Sequence, residues 1–244
     1  MTKSVYHKAS SRGHANHGWL DSRHTFSFAN YQDPERMNFG VLRVINDDHV
    51  EPGHGFGVHG HDNMEIISIP LEGQLKHADS IGNEGVIHKG EIQVMSAGTG
   101  VRHSEMNGSD QLPVKFLQIW IFPRERNVTP RYDQKFVATE RIHNQWQEIL
   151  SPNFETNAVW IHQDAWFSLG EIDQGIELSY QVKKRGNGVY IFVLEGELEI
   201  ILDDGSKKNL HKRDGFGVWE TDFFTVIANS ESQVLLMDIP MELS

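Results

Sequence analysis

Apolar positions along this chain come in short runs and alternations broken by turn residues, and almost nowhere at helical spacing. Val41-Leu42-Arg43-Val44-Ile45 reads as a strand meeting a turn cluster at Asn46-Asp47-Asp48. Met64 to Leu71 and Leu75 to Ala78 are further β-rich stretches. From Asp79 to Gly85, the residues Ser80, Gly82, Asn83 and Gly85 supply a hairpin turn. Ile92, Val94 and the run Phe116 to Phe122 continue the pattern. One segment alone predicts a helix: over Thr139 to Leu150, the residues Ile142, Trp146, Ile149 and Leu150 fall at i, i+4, i+7 and i+8 behind a Thr139 cap. Strands this dense, with glycine turns between them, predict an all-β barrel or sandwich.

The pattern also returns once. Leu71-Glu72-Gly73-Gln74-Leu75 reappears as Leu194-Glu195-Gly196-Glu197-Leu198, an offset of 123. Each copy is followed by a glycine-containing turn and then by a second glycine after a charged residue, Lys89-Gly90 and Asp214-Gly215. Each closes on an apolar strand ending at proline, Ile119 to Pro123 and Val234 to Pro240. The ordered set predicts two related β units joined near residues 125–150. They are an N-terminal barrel over residues 1–130 and a C-terminal barrel over residues 131–244.

Composition narrows the function classes. The 244 residues suffice for two compact domains. Thirty-four acids against 22 bases give a formal charge of −12, which repels phosphate backbones and argues against a nucleic-acid partner. Lys183-Lys184-Arg185, Lys207-Lys208 and Lys212-Arg213 are short basic patches among turn residues and read as solvated loop charge. With no cysteine there are no disulfides, thiolate ligands or cysteine nucleophiles. Met1 to Trp19 lacks the apolar core of a signal peptide, and no apolar run nears the ~18–20 residues that span a bilayer. The expected location is the cytoplasm, away from membranes.

Histidine changes the picture. Eleven of the 14 lie in the first 103 residues, and two of them form His59-Gly60-His61. Residues i and i+2 of a strand share a face, so both imidazoles can reach one ion. His103-Ser104-Glu105 repeats that geometry with one imidazole and one carboxylate. Two such pairs on neighbouring strands give four N/O ligands and leave coordination positions for water or substrate. His7, His14, His17, His24, His77, His88, His143, His162 and His211 lack a partner at ligand spacing, and His54 stands near the first pair. The same offset of 123 carries His59, His61 and His103 onto Val182, Lys184 and Val226, so the C-terminal barrel is expected to bind no metal this way. Three imidazoles and a carboxylate suit Fe, Mn, Co, Ni, Cu or Zn.

These motifs resemble a known family. Gly53-x5-His59-x-His61-x3-Glu65 followed by Leu71-Glu72-Gly73 resembles the first motif of the cupin superfamily. The segment Gly90 to Gly100 ending in His103-Ser104-Glu105 is similar to the second motif of the pirin family, as are Gly18 to Ser22, His24 to Phe28, and Thr129-Pro130-Arg131-Tyr132 to other pirin segments. The resemblance implies an all-β bicupin of two jelly-roll-type barrels with a short linking helix, and a site on His59, His61, His103 and Glu105. It implies Glu65 as structural, and Fe(II) as the ion. It also implies quercetin 2,3-dioxygenase activity: O2 opens a flavonol ring with loss of carbon monoxide. In that chemistry Glu105 could serve as general base, with Phe56 and Met64 as candidate apolar walls. The alternative the family offers is a metal- or redox-sensing regulator that acts through a protein partner without turnover. A structural zinc site is a third reading, disfavoured by the lack of cysteine.

Overall fold

The computed structural model describes residues 2–137 and 142–243. The first half of the chain lays down β1 (Lys3–His7), β2 (Gly13–Asn16), β3 (Leu20–His24), β4 (Leu42–Val50), β5 (Gly55–His61) and β6 (Glu65–Glu72). It continues with β7 (Gln74–Asp79), β8 (Glu84–His88), β9 (Glu91–Ser96), β10 (Val101–Asn107), β11 (Val114–Ile121) and β12 (Arg131–Phe136). The second half adds β13 (Gln147–Ser151), β14 (Val159–Trp160), β15 (Trp166–Ile172), β16 (Glu177–Gln181) and β17 (Asn187–Glu195). It ends with β18 (Glu197–Leu202), β19 (Lys207–His211), β20 (Gly215–Trp219), β21 (Phe223–Ala228) and β22 (Ser232–Pro240).

These strands build two jelly-roll barrels of one plan, each a seven-stranded sheet facing a four-stranded one. The first pairs β12-β9-β6-β11-β4-β3-β2 with β5-β10-β7-β8, and the second pairs β1-β20-β17-β22-β15-β13-β14 with β16-β21-β18-β19. The two edge strands β1 and β12 are exchanged: β1 lies on β20 of the second sheet, and β12 on β9 of the first. The division expected after residue 130 is therefore crossed twice.

The largest core lies between the two seven-stranded sheets. Leu42, Ile45, Ile67 and Ile119 from one meet Phe167, Phe192, Leu235 and Met237 from the other, and all are buried. Burying a side chain of this size stabilises by about 1.5–3 kcal/mol. At its margin Asp47 forms ion pairs with both Arg12 (3.3 Å) and Arg213 (3.2 Å), tying the halves together. His7 Nδ1 meets Tyr190 Oη at 2.8 Å, and burial holds the imidazole down at about 4, so the contact joins neutral groups.

The glycine of each Leu-Glu-Gly repeat sits at positive φ, Gly73 at 74° and Gly196 at 87°. A Cβ there would lie 2.6 Å from the Pro113 carbonyl oxygen or 2.2 Å from Ser232 Oγ. Only glycine combines that turn with that approach, which explains why the motif recurs.

Two expectations are corrected. Gln147–Ser151 is strand β13, so the linking helix is not formed there; Thr139, the expected cap, lies outside the described residues. A register shift between Glu148 and Leu150 breaks the alternation and lets Ile149 and Leu150 both face core, which imitates helical spacing. Likewise Asn46-Asp47-Asp48 is no turn: β4 runs through it to Val50. Asp47 faces the arginines, while Asn46 and Asp48 are buried on the other side.

Candidate metal centre

The four-stranded sheet of the first half carries the histidines. β10 pairs with β5 so that His103 stands opposite His59 and Val101 opposite His61. Period-2 alternation along β10 buries Val101, His103, Glu105 and Asn107. Along β5 the phase slips: the register shifts between His103 and Glu105, and Glu105 faces Phe56. This bulge lets Phe56 and His59 both turn inward although they stand an odd three positions apart, while Val58 between them is 65% exposed.

The ligating atoms of His59, His61 and His103 all lie within 4.8 Å of one another. His59 Nδ1 donates to the Gly57 carbonyl at 2.8 Å, which leaves its Nε2 as the bare nitrogen. That atom lies 3.0 Å from His103 Nε2. Two nitrogens about 2.1 Å from one shared ion sit about 3.0 Å apart when the angle between them is a right angle. His61 Nε2 is buried and has no hydrogen-bond partner among the described residues. Burial first, then the neighbouring imidazoles, hold His61 down at about 4 and His103 down at about 3. Both are therefore neutral at physiological pH, as a metal ligand must be. The donor set fits a divalent metal ion.

Glu105 is not among those mutually close donors. Its carboxylate is buried beside them, accepting from Ser68 Oγ (2.8 Å) on β6 and Gln118 Nε2 (2.7 Å) on β11. Gln118 Oε1 accepts in turn from Trp120 Nε1 at 3.1 Å. A cavity of about 270 Å³ opens against His59, Glu105 and Gln118, with Trp19, Phe56 and Trp120 among its walls. Phe56 thus lines the site, whereas Met64 packs with Ile66, Met95 and Val101. His54 stacks on Trp19, ring centres 6.2 Å apart. Glu65 accepts from Ser96 Oγ (2.8 Å) and from the His162 backbone N–H (3.2 Å), so it fastens the two halves and holds no ion with the histidines.

Sequence spacing alone missed His77 and the residues on the far wall of the cavity. His77, opposite Glu105 in the β10–β7 pairing, is wholly buried, meets Asp79 at 3.1 Å and lies 5.5 Å from the His103 ring. The far wall includes Ser22, His24, Asn46 and Asp48, which stand at i, i+2 spacing on β3 and β4. That alternation was the available signal. A larger cavity, about 840 Å³, opens in the second half beside Trp219 and Met241. Two of its cations, Arg124 and Lys184, are paired with Asp164, and among the described residues the metal-ligating cluster lies elsewhere, on His59, His61 and His103.

Comparison with known proteins agrees with this geometry. Residues 5–121 match the Pirin family model, and residues 148–239 match a model described as a quercetinase C-terminal cupin domain. A quercetin 2,3-dioxygenase of Escherichia coli O157:H7 is 44% identical over 96% of this chain and 97% of its own length. A pirin-like protein of Caulobacter vibrioides is 34% identical over 93% of this chain and 95% of its own. The crystal structure of the Escherichia coli bacterial pirin YhhW in complex with nickel(II) superposes with a TM-score of 0.89, at 44% identity, covering 98% of this chain and 99% of that one. With paired barrels, a three-histidine cluster in the first and this match along nearly its whole length, the chain belongs to the pirin family.

Proposed function

We propose that this protein is a metal-dependent flavonol 2,3-dioxygenase of the quercetin type, with its ion in the first barrel. The observation that carries the reading is a cluster of three imidazoles, their nitrogens within 4.8 Å of one another, beside a cavity with aromatic walls. Its relatives named quercetin 2,3-dioxygenase support the same reading.

His59, His61 and His103 hold the ion, and Glu105 stands close enough to the cavity to complete the set. A divalent ion bound there supplies Lewis-acid chemistry, lowering the pKa of a hydroxyl placed on it. Glu105, with its two oxygens fixed by Ser68 and Gln118, takes the proton of the flavonol 3-hydroxyl. Phe56, Trp19 and Trp120, which line the cavity, give a planar substrate apolar contact and keep water from it. Overall, the C2–C3 and C3–C4 bonds break, C3 leaves with its oxygen as carbon monoxide, and the two atoms of O2 end one each on C2 and C4, as the ester carbonyl and the carboxylate of the opened product. Iron is the ion we favour, and nickel is the ion crystallised in the relative.

The test is oxygen uptake with quercetin by protein purified without metal and loaded separately with Fe(II), Mn(II), Co(II), Ni(II), Cu(II) and Zn(II). Turnover with at least one ion, with carbon monoxide released in equal amount, is expected. Stoichiometric metal binding with no turnover by any ion would overturn the enzymatic reading in favour of a metal-sensing protein.

A further inference from the structure

The cavity beside His59 has a second polar face that the metal chemistry leaves unused. Ser22 and His24 on β3 pair in register with Asp48 and Asn46 on β4, and all four are at most 3% exposed. The Ser22 hydroxyl donates to Asp48 Oδ1. His24 Nδ1 donates to Asn46 Oδ1 at 2.8 Å, which makes Nε2 the bare nitrogen. Neither His24 Nε2 nor Asp48 Oδ2 has a hydrogen-bond partner among the described residues, and both side chains line the cavity. Both atoms are thus open to the cavity rather than tied to the protein, and a ligand filling that space must offer each a hydrogen-bond partner in place of water.

The fold itself does not require the cluster. In the second barrel the matching strands carry Glu148 and Ser168 at the places of His24 and Asn46, and Gly170, packed under Trp146, at the place of Asp48. The placement suits one substrate pose. Gln118, which holds Glu105, stands opposite Asn46, and Asn46 stands opposite His24. Two strand spacings, about 10 Å, therefore separate the end of the cavity beside Glu105 from His24. That span accommodates a fused two-ring system bearing a hydroxyl at its far end.

We propose that Ser22, His24, Asn46 and Asp48 form a subsite that reads hydroxyl groups on the part of the substrate remote from the metal, so that the preferred substrates are planar, polyhydroxylated aromatics. This rests on the flavonol reading above. Burial holds the Asp48 carboxyl up at about 7 against the pull of the Ser22 hydrogen bond, with Asp47 and Glu105 adding to the rise. It thus offers a proton as well as a lone pair, and His24 offers an acceptor. A site built to hydrogen-bond hydroxyls disfavours analogues that lack them, because its own groups are then left unpaired.

The experiment compares two ligands in anaerobic equilibrium binding to nickel-loaded protein, read from the flavonol absorbance. Quercetin carries hydroxyls on both outer rings; 3-hydroxyflavone carries only the hydroxyl and carbonyl that face the ion. Wild type is expected to bind quercetin at least about tenfold more tightly. In His24→Phe that advantage falls to within about threefold while 3-hydroxyflavone binds as before, which also shows that the fold and the metal centre survive. Asp48→Asn, which keeps the shape and the Ser22 contact, loses part of the advantage and serves if the phenylalanine variant does not fold. An undiminished quercetin advantage in both variants, or none in wild type, overturns the subsite alone. Failure of either flavonol to bind loaded wild type overturns the flavonol reading and the subsite with it.

Discussion

In each half of the molecule one row of side chains crosses the seven-stranded sheet on the face that looks into the barrel, and the two rows differ in kind. In the first barrel the row reads Gln134, Gln93, Ser68, Gln118, Asn46 and His24. In the second, the same register reads Tyr6, Phe216, Ile191, Leu236, Ser168 and Glu148. The facing four-stranded sheets differ in step with them. His103 opposite His59 becomes Phe224 opposite Tyr180, and His77 opposite Glu105 becomes Ile200 opposite Val226. The Tyr180 and Phe224 rings pack with centres 5.5 Å apart where the first barrel gathers imidazoles.

The consequence shows in the cores. The second lumen is one continuous apolar cluster from Ile172 to Leu236. The polar row splits the first lumen into two small clusters, one around Leu75 and Phe116 and the other around Ile66 and Met95. Gln93, buried there, has neither amide atom hydrogen-bonded among the described residues. One scaffold thus carries chemistry in a lumen that gives up packing, beside a twin whose packing is complete. The two share the large apolar interface between their sheets, so the packed barrel supports the reactive one.

The sharpest way to break this comparison is His103→Ala. Loss of metal binding and of quercetin turnover to background is expected, with an unchanged circular dichroism spectrum; retention of one tightly held ion would remove His103 from the centre. The mirror change, Phe224→Ala, is expected to cost about 3–5 kcal/mol in chemical denaturation and to leave metal stoichiometry untouched. A loss of metal in that variant would mean that the two lumens are not separable. Ser68→Ala removes one of the two bonds that fix Glu105, and metal affinity measured by calorimetry is expected to fall about 10- to 100-fold. Unaltered affinity would show Glu105 to be no ligand.

The smallest effect concerns pH. Asp238 accepts from the Lys183 backbone N–H (2.7 Å), Asn187 Nδ2 (2.7 Å) and Tyr180 Oη (3.2 Å), yet burial raises its carboxyl to about 6. The folded protein therefore holds this proton more tightly than the unfolded chain does. The stability it contributes is fully present below about pH 4 and is lost as pH rises through about 6. Asp238→Asn is expected to remove on the order of 1–2 kcal/mol of that pH dependence, read as a smaller fall in Tm between pH 4 and pH 7 than wild type shows. Equal falls in the two proteins would place the titration elsewhere.

How much of this could be read from residues alone depended on distance along the chain. His59 with His61 and His103 with Glu105 stand at i, i+2 spacing, so the convergence of the three imidazoles follows from strand geometry. The β5 bulge is a two-strand property, and nothing in Phe56-Gly57-Val58-His59 announces it. The cavity's far wall escaped because Asn46-Asp47-Asp48 has the composition of a turn; its polar residues are tolerated in a strand because one side meets arginines and the other a polar lumen. Counting by the repeat offset placed Val182 and Val226 at the positions of His59 and His103, whereas strand pairing places Tyr180 and Phe224 there. The path from β7 to β10 is two residues longer than that from β18 to β21, and the path from β5 to β6 two residues shorter than that from β16 to β17, which together account for the slip.

The exchanged edge strands set a timetable for the nascent chain. Lys3–His7 is made some 210 residues ahead of its partner Gly215–Trp219. At about 5–20 residues per second that interval is on the order of 10–40 s, during which the first strand has no edge to join. The first sheet, by contrast, can close as soon as Arg131–Phe136 emerges. The first barrel can therefore take shape early, while Lys3–His7 waits for its neighbour's strands and locks the pair together only once Gly215–Trp219 has been made.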